Sequence, residues 1–120
     1  NKMKKTMLIL ALMAILMLIA TAGYAYKGSP VESFDITPNP MFKECVISLA
    51  VSVPLNINVQ IQSCDGKVIC DLYEGFVGKD IYLNWERTDN YGNYVPDGEY
   101  FVVVNFSTRY TSLKKTLILK

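Results

Sequence analysis

The chain has 120 residues, 51% of them hydrophobic and 19% charged, which suits one small folded domain plus one strongly apolar segment and leaves no room for a second domain. Its 12 basic and 11 acidic residues nearly cancel, and Lys2, Lys4 and Lys5 sit at the start, so the chain beyond residue 25 is slightly acidic. Beyond the N-terminus only Lys114 and Lys115 are adjacent basic residues, too few to neutralise a row of phosphates, so nucleic acid is set aside as a partner; the lack of His removes Ser-His-Asp and Cys-His catalysis and histidine-ligated zinc together.

Residues 1–25 carry a basic head, an uncharged run from Met7 to Ala20, and small residues at Ala20, Ala22, Gly23 and Ala25. This is the layout of a secretory signal cleaved after Ala22 or Ala25. At about 1.5 Å per helical residue the run reaches about 21 Å, short of a hydrocarbon core of about 30 Å. The alternative is an uncleaved helix over residues 7–25, which would hold the chain in a membrane or build it into a self-associating filament. Both readings place the protein outside the cytoplasm, in the periplasm, at the cell surface or in the medium, with a protein partner there.

Residues 26–33 read as a linker, and from there short apolar runs alternate with turn signals at roughly ten-residue intervals, the pattern of an all-β antiparallel sandwich. Residues 34–37 supply a first strand. In residues 45–53, Ile47, Leu49, Val51 and Val53 point inward against Ser48, Ala50 and Ser52, until Pro54 ends the run. Residues 56–62 repeat the alternation, with Ile57, Val59 and Ile61 dry and Asn58, Gln60 and Gln62 wet. Asp65 and Gly66 suit a two-residue type I′ turn, in which both central residues need positive φ, leading into a strand over 68–73. Ile81, Leu83 and Trp85 form another inward set with Tyr82 and Asn84 outward; residues 100–106 are apolar on both faces, as in a covered central strand. A last strand over 113–120 makes about seven. Cys45, Cys64 and Cys70 allow at most one disulfide, and the hairpin register does not oppose the nearest pair, so no disulfide is expected to carry the fold.

Four groups of residues then stand in order. They are Thr37-Pro38-Asn39-Pro40; Asp65-Gly66-Lys67; Trp85 with Thr88-Asp89-Asn90-Tyr91-Gly92 after it; and Val95-Pro96-Asp97-Gly98-Glu99-Tyr100, with the basic-apolar finish from Lys114 to Lys120. Together they resemble the immunoglobulin-like domain of the flagellar hook-cap (FlgD-type) family over residues 34–120, and are also similar, less closely, to the C-terminal sorting domains of type IX secretion substrates. The resemblance implies an immunoglobulin-like sandwich in which Asn39, Pro40, Asp65, Gly66, Trp85, Asp89, Gly92, Pro96, Gly98 and Tyr100 shape the fold. A secretory leader on a single module sets the chain apart from hook assembly.

The functional reading is a non-enzymatic module for protein interaction or assembly, with no cofactor. Asp89, Asn90, Asn93 and Asp97 offer oxygens for a calcium site, yet the spacing lacks the alternating acidic run and terminal Glu of an EF-hand, and solvated turn residues explain them as well. Three thiols cannot complete a four-ligand structural zinc site. Tyr91, Tyr94 and Tyr110 fall in turns, where they form a candidate binding rim or simply decorate the surface.

Overall fold

The computed structural model describes residues 28–120; the expected leader or anchor helix lies outside them. Seven strands run in order: β1 (Val31–Thr37), β2 (Cys45–Val51), β3 (Leu55–Ser63), β4 (Val68–Val77), β5 (Asp80–Trp85), β6 (Gly98–Phe106) and β7 (Leu113–Leu119). β1 starts inside the stretch read as linker, and β4 runs four residues beyond the expected 68–73.

All pairings between these strands are antiparallel, in one sheet ordered β1-β2-β5 and another ordered β4-β3-β6-β7. An immunoglobulin constant domain divides its strands ABED and CFG. Here the fourth strand lies with the CFG equivalents, which gives an immunoglobulin-like sandwich of three strands facing four.

The period-2 alternation decides which side chains meet between the sheets. Ile47, Leu49 and Val51 of β2 face Ile57, Val59 and Ile61 of β3 and Val102 and Val104 of β6, all at most 4% exposed. Each fully buried side chain of this kind contributes about 1.5–3 kcal/mol, so the inner faces alone account for the cohesion of the domain. Two details depart from the sequence reading. Val53, expected inward, is 42% exposed, because β2 stops at Val51 and the chain turns toward β3 before Val53 can continue the alternation. Val103 points away from the core and is still only 2% exposed, since it lies in register between Gln60 of β3 and Lys114 of β7, whose long side chains cover it.

The β3–β4 connection also differs from expectation. Gly66 donates to Ser63 O at 2.9 Å and Ser63 donates to Lys67 O at 2.9 Å, with positive φ at Gly66 and not at Asp65. This is a type I turn and then a left-handed glycine, a three-residue loop in place of a two-residue type I′ turn. Asp65 contributes through its carboxylate, which accepts from the Lys67 N–H and the Ser63 hydroxyl. Those bonds hold its pKa below the ordinary carboxylate value, the Ser63 contact most strongly.

Candidate functional site

The sandwich has two poles. The ends of β3 and β5 and the starts of β2 and β6 gather at one pole with the loop between Trp85 and Gly98; the β2–β3, β4–β5 and β6–β7 connections gather at the other. At the first pole Trp85 closes the core, 2% exposed, and its Nε1–H donates to Thr88 O at 2.8 Å.

Two residues on, alternation turns Arg87 inward. It is fully buried, with φ of 62°. Its guanidinium finds an acceptor for every arm. Nε donates to Val95 O at 2.8 Å, Nη1 to Phe42 O at 2.7 Å and to Lys120 O at 2.9 Å, and Nη2 to the Asp97 carboxylate, while the Tyr94 ring lies 4.6 Å from Cζ. One planar fork thus ties together the β1–β2 loop, the 86–97 loop and the end of β7, which a point-charge ammonium could not do. The sequence reading did not single out Arg87. The available signal was its inward register after Trp85 together with Asp97, the nearest acid before the next strand.

The neighbouring turn repeats the chemistry of the β3–β4 loop. The Asp89 carboxylate accepts from Tyr91 N at 2.9 Å and Asn93 N at 2.8 Å, and Gly92 N donates to Asp89 O at 3.1 Å with Gly92 at φ 83°. The Asn93 backbone bond is the main reason the Asp89 pKa lies below the ordinary carboxylate value. Past the turn, Tyr100 at the start of β6 sends its hydroxyl back to Pro96 O at 2.8 Å. A tyrosine near the start of the sixth strand that bonds backbone a few residues upstream is the tyrosine corner of immunoglobulin-like sandwiches. Burial pushes its pKa up.

Asn39 and Asn90 act on sheet edges. Asn39 Nδ2 donates to Thr116 O at 2.7 Å and its Oδ1 accepts from Ile118 N at 3.1 Å, so one side-chain amide reads the outer edge of β7 as a peptide would. Met41 continues the contact, donating to Ile118 O and accepting from Lys120 N, with its side chain 1% exposed. Pro38 and Pro40, both after cis peptide bonds, flank Asn39. On the opposite edge, Asn90 N donates to Ile69 O at 3.1 Å and Asn90 Oδ1 accepts from Asp71 N at 2.7 Å, which covers β4 in the same manner.

Three of the four candidate calcium ligands are spoken for separately, Asp89 by its own turn, Asn90 by β4 and Asp97 by Arg87, while Asn93 joins the Asp89 turn through its backbone, accepting from Asp89 N at 2.9 Å. Among the described residues no three His, Cys, Asp or Glu side chains stand together as metal ligands. The candidate rim is divided as well. Tyr91 and Tyr94, 90% and 68% exposed, stand at the Arg87 pole, whereas Tyr110 comes after β6 at the other pole and meets Phe106 edge-on at 5.9 Å. The three cysteines are free, Cys45 and Cys70 buried and Cys64 exposed; burial above all raises the Cys45 thiol to about 11.

At the Tyr110 pole the surface is less committed. Asn56, Asn58, Glu74, Asn105, Phe106 and Ser107 line a cleft of about 360 Å³ at the end of the four-stranded sheet. Asn105 donates to Asn58 Oδ1 at 3.2 Å and accepts from Ser112 at 2.6 Å, which fixes the amides along its floor. Phe76, 63% exposed, extends from the neighbouring strand. These loops correspond to the end of the sandwich that carries the antigen-contacting loops of antibody variable domains.

No family model and no curated protein matches the sequence. Among solved structures the chain is similar to dimeric latent PorU from Porphyromonas gingivalis, with a TM-score of 0.56 and 23% identity over 72% of this chain and 9% of that one. It is also similar to PorZ, a surface component of the type IX secretion system of the same organism, with a TM-score of 0.50 and 20% identity over 74% of this chain and 12% of that one. The chain spans about a tenth of the length of either protein, and at these identities the likeness is one of fold.

Proposed function

We propose that this protein is an exported, non-enzymatic immunoglobulin-like module that recognises a protein partner in the cell envelope through the Tyr110 pole. The observation that carries the reading is the unequal use of side chains at the two poles. At the Arg87 pole Arg87 and Asp89 are consumed in holding backbone and Asp97 in pairing with Arg87, while at the other pole the loop 107–112, reading Ser-Thr-Arg-Tyr-Thr-Ser, carries a half-buried aromatic and an exposed cation among small hydroxyl residues beside an amide-lined cleft. Tyrosine with serine is the composition of adaptable recognition loops. The leader-like residues 1–25 support export.

A photo-crosslinking residue at position 110, in cells, tests this. A discrete adduct at 110 that is missing with the probe at position 91 supports the reading. Equal adducts at both positions, or none at either, would overturn it.

The likeness to PorZ favours a second reading, that the module belongs to the type IX secretion group and serves as a sorting domain; the FlgD-type resemblance of its turns concerns the same sandwich. Fusing residues 34–120 to a passenger and tracking the passenger to the cell surface separates this reading from the first.

A further inference from the structure

A two-sheet sandwich has four strand edges, and this one treats them unequally. β7 is covered by Asn39 and Met41, and β4 by Asn90. β1 carries a bulge between Val31 and Ser33, and Lys115 Nζ occupies its edge by donating to Phe34 O at 2.7 Å. Bulges, lysines and covering loops are the ordinary means by which an edge is kept from pairing with another chain.

β5 has none of them. Val51 N donates to Lys79 O at 2.8 Å, so the hydrogen-bonded pairs in step with it are Leu49 with Ile81 and Ile47 with Leu83. The N–H and C=O groups of Tyr82 and Asn84 then face away from β2. Among the described residues none of those groups has a partner, and every residue from Asp80 to Asn84 is exposed or half-exposed. The strand holds no proline, no glycine and no basic residue.

We propose that β5 is a pairing edge and that its occupant is β5 of a second copy of this chain, joined antiparallel about a twofold axis at Tyr82. The strand is complementary to itself in that register. Tyr82 lies opposite Tyr82 of the second copy, and Asp80 opposite Asn84, a carboxylate acceptor against an amide donor. On the other face Ile81 meets Leu83, both half-exposed in the single chain. The flanks carry opposite charges, Lys79 before the strand and Glu86 after it; antiparallel pairing sets Lys79 opposite Trp85 and Glu86 opposite Gly78, so each end of the joined ladder holds one charge of each sign. Parallel pairing would bring like charges together. The two three-stranded sheets become one of six strands, with both poles left free.

The test uses the chain as cells process it, with Cys64→Ser to remove the exposed thiol, and Tyr82→Cys as a probe. Directly opposed residues place their Cβ atoms about 4.5–5.5 Å apart, so a short bis-maleimide should link Tyr82→Cys into a dimer. The same reagent on Tyr91→Cys, exposed and outside β5 in the 86–97 loop, should leave monomers. Asn84→Pro removes an N–H that no neighbour within the chain uses, and should weaken self-association measured by sedimentation about tenfold or more. Tyr82→Lys should do the same without constraining the backbone. A chain that sediments as a monomer, a failure of Tyr82→Cys to link, or a dimer that survives both substitutions with the fold intact would each overturn the proposal.

Discussion

The two poles of this sandwich are built from the same kinds of residue and use them in opposite ways. At one pole Arg87, Asp89, Asp97 and Tyr100 all point at backbone or at each other, and the 86–97 loop is fixed from several directions. At the other, Arg109 and Phe76 are exposed, Tyr110 packs only partly against the core, and the polar side chains that do interact form a floor beneath an open cleft. Composition therefore does not distinguish a loop spent on the framework from one left open; what distinguishes them is how many hydrogen-bonding groups are already satisfied inside the fold.

Substitutions can break that contrast or sharpen it. The largest effect is expected for Arg87→Ala, which leaves Phe42 O, Val95 O and Lys120 O without their donor and empties a fully buried site. A loss of about 3 kcal/mol or more in denaturant unfolding is expected, and Arg87→Lys should recover only part of it. If Arg87→Ala melts with the parent, the pole is not held by this residue.

Next comes Tyr100→Phe, which removes the single hydroxyl bond to Pro96 O and keeps the ring. It should cost about 1 kcal/mol in the same assay.

Asp89→Asn gives a pH-dependent effect. Because the folded chain lowers the Asp89 pKa below its ordinary value of 3.8, its stabilisation is complete above that value and is lost as pH falls through the folded pKa. The parent should exceed Asp89→Asn in stability at neutral pH, and the two should converge as pH falls below the folded pKa, where the carboxyl is protonated in both states. A difference that persists unchanged into acid would assign the effect to shape instead of charge.

The smallest effect is expected at the opposite pole. Arg109→Ser and Phe76→Ser should each change stability by no more than about 0.5 kcal/mol, while reducing crosslinking from position 110. A large loss of stability from either would show that this pole is structural too.

Much of the frame was legible in the sequence because strand periodicity is local. Ile57, Val59 and Ile61 announce their face within seven residues, and Trp85 and Tyr100 take the positions their neighbours imply. The rest was hidden where the deciding partners are distant. Arg87 looks like any surface cation until Phe42 and Lys120, 45 and 33 residues away, supply its acceptors. The same holds for Asn39, whose partner strand lies 77 to 79 residues on. Asp65-Gly66 misled for a different reason. That dipeptide serves both a two-residue turn and the last two positions of a three-residue one, and only the position of the Ser63–Lys67 bond separates them.

The placement of the first and last strands has a mechanical corollary. Pro30 is tied to Ser52 at the Tyr110 pole, whereas Lys120 is tied to Arg87 at the other. Tension applied between those points runs along the strands and across hydrogen bonds that lie perpendicular to them. The β1–β2 and β6–β7 ladders would then be loaded in shear, with all their bonds sharing the force, instead of being peeled open one at a time. A module strung this way between two anchors behaves as a tie bar, and the guanidinium at its far end is the rivet that passes the load into the sheet.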